Sequence, residues 1–294
     1  MLSFKCRTCG GEMSVSKSGD LVCSYCGSKY TFTDKDLSAY REFRLKMLYY
    51  LSAQANREEY DTEEIWSRAS EASFMTADGS DISVRFVSLE ENGDTAVYTA
   101  RNNVIITMPP DKADRYEKAV TELGYPSADT RKLSQYFPVI TGRFLLRDGR
   151  AMLAAAKPEA VFPLSLFGSL PPVHAAWILS RLENICCVLE YSGMTHGGID
   201  TANVFINAAT HEAYLLGGWE KAVKTSDKHT DLIMIRQTAE RVMGKSISEA
   251  PDMFREFLKK RSFTNAYDDF ADWDRVIEQG FNGRRFVKLD LTNI

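Results

Sequence analysis

Apolar residues recur along this chain with two different periods, and the change of period divides it. Ile82, Val84 and Phe86 alternate with Ser83 and Arg85, a strand pattern that stops at the turn-forming Glu91-Asn92-Gly93-Asp94. Thr95 to Ala100 and Val104 to Met108 continue it as two further strands, parted by Asn102-Asn103. Phe144 to Leu153 holds Asp148-Gly149 between apolar runs, which is a hairpin signal, and Val161-Phe162-Pro163-Leu164 reads as one more short strand.

Elsewhere the spacing is helical. Leu37, Tyr40, Phe43, Met47, Leu48 and Leu51 form one stripe after a cap at Thr33-Asp34, and Ile65, Trp66 and Ala69 mark a shorter helical piece over 62–72. Pro109-Pro110 ends a strand, and Asp111 is placed to cap a helix carrying Tyr116, Val120 and Leu123. After Pro171-Pro172, Ile178, Leu182, Ile185 and Leu189 make a buried stripe closed by Gly193. Thr230-Asp231 opens another helix that Gly244 ends. Phe254, Phe257 and Leu258, then Phe270, Trp273, Val276 and Ile277, supply two more. A strand-rich stretch over 82–164 lies between helical ones, so the fold class is α+β.

The first 33 residues carry a different signal. Cys6 and Cys9, then Cys23 and Cys26, form two Cys-x-x-Cys pairs separated by thirteen residues, with Gly10 and Gly27 behind each pair to let the backbone turn under a metal. Glu12 to Val15 and Leu21 to Cys23 are strand-like between turn residues. The pattern is that of a zinc ribbon whose four thiolates fill a tetrahedral structural site. Metal binding would supply most of the folding free energy of so small a module. Cys186 and Cys187 fall in an apolar segment and read as buried small hydrophobes.

Composition narrows the partners. The 294 residues are 44% hydrophobic and 26% charged, with net charge −4, so no global field draws the chain to nucleic acid or to anionic membrane. No apolar run reaches the length of a membrane span, and the start, Met1 to Cys6, lacks the basic and apolar regions of an export signal, which makes the cytoplasm the expected compartment. Lys5, Arg7, Lys17 and Lys29 against Glu12 and Asp20 give the ribbon a slight local excess of positive charge. Nucleic-acid binding through the ribbon therefore ranks below protein docking.

The stretch with most chemical content is His196-Gly197-Gly198-Ile199-Asp200-Thr201-Ala202-Asn203-Val204-Phe205-Ile206, followed by Leu215-Leu216-Gly217-Gly218-Trp219. It resembles the catalytic loop and magnesium-binding triplet of the protein kinase superfamily. His196 and Asn203 keep their places. Gly198 stands where the resemblance places the catalytic Asp, Asp200 where it places a Lys, and Gly217-Gly218-Trp219 where Asp-Phe-Gly or a relative such as Asp-Trp-Gly is expected, Gly217 aligning with the metal-binding Asp. Thr107 aligns loosely with the phosphate-binding lysine of the small lobe. Asp231 aligns with the Asp that, in kinases, bonds the catalytic-loop backbone. Lys157 reads as a surface lysine, with a position in the cleft as the alternative.

Phosphoryl transfer relies on one carboxylate at the nucleophile and another on the metal, and glycine replaces neither. The resemblance thus implies a pseudokinase: ribbon 1–33, helical connector 34–72, small β-rich lobe 73–165 and mainly helical large lobe 166–294. It implies structural zinc, no use of ATP and magnesium, and a protein partner with no membrane. Two alternatives remain at this stage. One is an enzyme using displaced carboxylates such as Asp200 or Asp227. The other is a nucleic-acid-binding protein led by the ribbon.

Overall fold

The computed structural model describes residues 4–5, 12–15, 21–23, 25–30, 61–225, 227, 229–284, 287–291 and 294. The expected helix over 33–51 and the ligands Cys6 and Cys9 lie outside them. Strands β1 (Phe4–Lys5), β2 (Glu12–Val15), β3 (Leu21–Cys23) and β4 (Lys29–Tyr30) form one antiparallel sheet in chain order. The strands expected at Glu12 and Leu21 are present with the expected bounds.

Helix α1 is short, Glu63–Ser67, and buries Ile65 and Trp66. The helical reading of 62–72 is corrected here, because Ser70–Met75 is strand β5 and pairs with β6 (Asp81–Asn92) across a turn at Gly79. That turn needs a left-handed residue, and Asp78-Gly79 supplies it. Ser70 to Met75 thus belongs to the same sheet as Asp81–Asn92. β6 kinks at a bulge between Phe86 and Ser88 and continues into β7 (Thr95–Ala100) and β8 (Asn103–Met108).

Helix α2, Pro110–Thr121, starts at Pro110 rather than at an Asp111 cap. Proline at the first helical position costs no hydrogen bond, and Asp111 sits in the first turn, where the helix dipole favours it. β9 (Ile140–Leu145) and β10 (Ala151–Ala156) complete a six-stranded antiparallel sheet in the order β5-β6-β7-β8-β10-β9.

The two outer strands of this sheet meet. Thr76 bridges Leu146, Ala77 N donates to Leu145 O at 2.8 Å and Arg147 N donates to Met75 O at 2.8 Å, so the sheet curls into a barrel closed at one end. Because successive side chains alternate faces, Val104, Ile106 and Met108 of β8 pack in the main core with Ala113 and Tyr116 of α2, while Ile105 points the other way. There it joins Phe74, Val84, Ala96, Tyr98 and Met152 in a separate core inside the barrel.

After residues 157–160 the chain enters β11 (Val161–Pro163) and a single 3₁₀ turn from Leu164, then helix α3 (Pro172–Tyr191). β12 (Met194–Thr195), β13 (Val204–Asn207), β14 (Glu212–Leu215) and β15 (Val223–Lys224) follow. β13 lies between β11 and β14, and β12 pairs with β15. Helices α4 (Thr230–Met243), α5 (Asp252–Lys259) and α6 (Ala266–Gly280) build the rest around α3, whose Cys186 and Cys187 are buried. Among the described residues no helix is long and apolar enough to cross a membrane. The expected order of a β-rich lobe and a mainly helical lobe is the observed one.

Candidate functional site

The loop between β12 and β13 is shaped by its own polar side chains. Asp200 Oδ1 accepts from Ala202 N and Asn203 N, both at 3.0 Å, and the Asp200 carbonyl accepts from Val204 N at 3.0 Å. Aspartate makes such turns because its short side chain reaches amides two and three residues on. Asp200 therefore caps the turn that delivers Asn203 into β13. Asp227 is engaged in the same way, accepting from His229 N at 2.8 Å and from the Thr230 hydroxyl at the start of α4.

Asp231, in the first turn of α4, is buried and accepts from His196 N at 2.7 Å and Gly197 N at 2.9 Å. Burial pushes its pKa up to about 6, against the pull of those two amides. Gly197 takes a φ of +67°, a left-handed conformation that lets both amides face one carboxylate.

His196 has no exposed surface. Its Nδ1 accepts from Gly198 N at 3.1 Å and its ring meets Trp219 edge to face, with centroids 4.7 Å apart. Burial first, and Lys221 second, lower its pKa to about 3, so the ring is a neutral structural element. Trp219, also fully buried, donates its indole N–H to Leu215 O at 2.9 Å. The ring contact packs Trp219, the last residue of the Gly217-Gly218-Trp219 stretch, directly against His196.

Those glycines are closely packed. Asn203 Nδ2 donates to Gly198 O at 2.9 Å, and a Cβ on Gly217 would lie 2.2 Å from Asn203 Oδ1. Gly218 has φ +80°, and a Cβ there would lie 3.0 Å from His196 Cε1 and 3.1 Å from both Asn203 Nδ2 and Gly198 O. A Cβ on Gly198 would approach Gly218 O and Lys221 Cδ at 3.2 Å each. Three glycines, Asn203 and His196 thus close on one another in one tightly packed cluster. Asn203 spends its amide on the Gly198 carbonyl.

Thr107 is fully buried on the barrel face of β8, and its hydroxyl accepts from Arg150 Nη1 at 3.3 Å. Arg150 is held in turn by Asp148 at 2.7 Å. The β6–β7 hairpin has Gly93 alone at its tip and carries Glu90, Glu91 and Asp94. Asp94 pairs with Lys112 of α2. Lys157 corrects both readings of it, since it is buried at the lobe junction.

In the ribbon, Cys26 N donates to Cys23 Sγ at 3.5 Å, Gly27 takes φ +72°, and Gly27 N donates to Cys23 O at 3.0 Å. This tight turn is the backbone form expected of a Cys-x-x-Cys ligand pair.

Sequence reasoning placed Trp219 in this region, through the Gly217-Gly218-Trp219 stretch, and missed Tyr116 and Lys221, which carry no local signal.

No known sequence family matches this chain, and no curated protein does. Among solved structures it is similar to vaccinia related kinase 3 (TM-score 0.48, 11% identity, covering 81% of this chain and 97% of that one) and to the BubR1 kinase domain (0.48, 10%, 67% and 80%). It is also similar to the Mycobacterium tuberculosis PknI kinase domain (0.43, 13%, 65% and 94%). These scores are low, and the reading of this chain rests on its own geometry.

Proposed function

We propose that this chain is a kinase-like module without phosphotransferase activity, which works by binding a protein partner and carries a structural zinc ribbon. One observation carries the reading: Asn203 packs against Gly217, and a carboxylate Cβ at that glycine would stand 2.2 Å from its Oδ1. The neighbouring Gly218 is crowded as well and has left-handed backbone. Holding magnesium there would require the loop to be rebuilt, not merely a side chain to be restored.

The alternative enzyme reading asks Asp200 or Asp227 to act as base or metal ligand. Both carboxylates already accept backbone amides that shape the loop and the start of α4, which weighs against that duty. Zinc would be held by Cys6, Cys9, Cys23 and Cys26, and it would supply cross-linking rather than catalysis.

Calorimetric titration of ATP into the zinc-loaded protein, with and without magnesium, tests the reading, together with a labelled-phosphate transfer assay. No magnesium-dependent heat and no transferred label are expected. Magnesium-dependent binding with transfer would overturn it. A nucleic-acid role would appear instead as binding that weakens steeply with salt and is lost on Cys23→Ser.

A further inference from the structure

Lys157 leaves β10 and begins the residues that join the two lobes. It is 5% exposed, and its Nζ donates to Arg101 O at 2.9 Å, Pro158 O at 3.1 Å and Glu159 O at 3.3 Å. An ammonium has three protons, and each has a carbonyl here. Two aromatic faces complete the enclosure. Nζ lies 5.4 Å from the Trp66 ring and 5.5 Å from the Phe162 ring, and the two rings are 5.9 Å apart.

Four parts of the chain meet at this cation: helix α1 through Trp66, the β7–β8 turn through Arg101, the lobe junction through Pro158 and Glu159, and β11 through Phe162. The outside of the enclosure is laced with charge. Glu159 accepts from the Thr62 hydroxyl at 2.7 Å and pairs with Arg101 at 2.8 Å; Arg101 also pairs with Glu63, and Arg85 donates to the Trp66 carbonyl at 3.2 Å. Burial pulls the Lys157 pKa down to about 7, while Glu159 and the carbonyls hold its proton. A buried ammonium is tolerated only while its acceptors and cover stay in place. Helix α1, five residues long, is too short to persist without this contact.

We propose that Lys157 is a lock on the lobe junction: with Trp66 seated over it, residues 157–160 are fixed, and withdrawal of helix α1 frees the lobes to move against each other. The chain preceding the small lobe thereby gains control over the mobility of the body. This holds whether or not the cleft takes a nucleotide, and so does not depend on the function proposed above.

Hydrogen exchange on the full zinc-loaded chain tests it, comparing wild type with Trp66→Phe, Trp66→Ala and Lys157→Met. Trp66→Ala should exchange about tenfold faster or more at residues 157–162 and also at 215–219, across the lobes, while α3 and α4 keep their protection. Trp66→Phe preserves a ring face and should stay close to wild type. Faster exchange confined to 62–68 in Trp66→Ala would overturn the lock. Should Trp66→Ala lose protection everywhere and so fail to fold, Lys157→Met decides. It keeps the apolar stem but leaves three carbonyls without a donor, so faster exchange at 157–162 supports the lock and wild-type protection there refutes it.

Discussion

The Tyr116 phenol, on helix α2 of the small lobe, donates to the Leu216 carbonyl, one residue before the glycine pair of the large lobe. Both residues are buried, and burial, with Glu220 nearby, holds the phenol well above its ordinary pKa. The bond fixes α2 against the segment that follows β14, in the depth of the space between the lobes.

Replacing Tyr116 by Phe removes the donor and strands a buried carbonyl, at a cost of about 1–3 kcal/mol. Urea unfolding of the variant should show a lower midpoint with an unchanged slope. A wild-type midpoint would mean that the bond contributes nothing.

Gly217→Ala should destabilise the protein by roughly 1–3 kcal/mol through overpacking against Asn203. The cost should shrink when Asn203 is first cut back to Ala, so a double-mutant cycle should give a coupling of about 0.5–3 kcal/mol. Additive costs would remove Asn203 as the obstacle. Gly217→Asp should gain no magnesium-dependent nucleotide binding in a calorimetric titration.

Acid should weaken the fold through its buried histidines. His196 is lowered to about 3 and His211 to about 4, both chiefly by burial, so as pH falls below 6.5 the unfolded chain takes up protons that the folded chain refuses. Each contributes a loss of about 1.4 kcal/mol per pH unit in that window. Asp231, raised to about 6 by burial, acts with the opposite sign: its contribution grows as pH falls from 6 toward 3.8. Buried Glu183, raised well above its ordinary range, acts in the same sense as Asp231, so the test isolates one group: between about pH 6.5 and about pH 5, His196→Gln should lose less stability on acidification than wild type, read from the slope of denaturation midpoint against pH. An unchanged slope in that variant would show that His196 titrates normally.

Chelation should act on the ribbon alone. All four tryptophans lie at or beyond Trp66, so tryptophan emission reports the body. Cys23→Ser, or a strong chelator, is expected to release bound zinc, read by atomic absorption, while the emission-detected thermal transition stays in place. Full metal retention in Cys23→Ser would rule that thiolate out as a ligand.

Most of the elements were legible because each carries its own period or stop. Ile82, Val84 and Phe86 alternate, Asp148-Gly149 turns a hairpin, and Gly244 ends α4 with φ +52°. Strand β5 was not legible, since Ser70 to Ser73 is polar or small and Phe74 is its single buried residue. Its place comes from pairing with β6, a tertiary effect. The same limit applies to Lys157, whose burial is set by Trp66 and Phe162 rather than by its neighbours in sequence. At the candidate site Gly198 and Gly217 were legible in the sequence, whereas the crowding that Asn203 imposes on Gly217 appears only in the folded chain.

The seam between Thr76 and Leu146 has a consequence for how the chain folds. β5 to β8 form a meander of neighbouring hairpins, which are local contacts that assemble quickly. The seam joins its first turn to residues beyond α2 and β9, so its loop-closure entropy is paid late. As the polypeptide emerges from the ribosome, Phe74 and Tyr98 stay without the cover of Leu146 and Met152 until the β9–β10 hairpin has been made. The nascent small lobe is therefore a natural client for chaperones that hold exposed apolar sheet, up to the moment the barrel shuts.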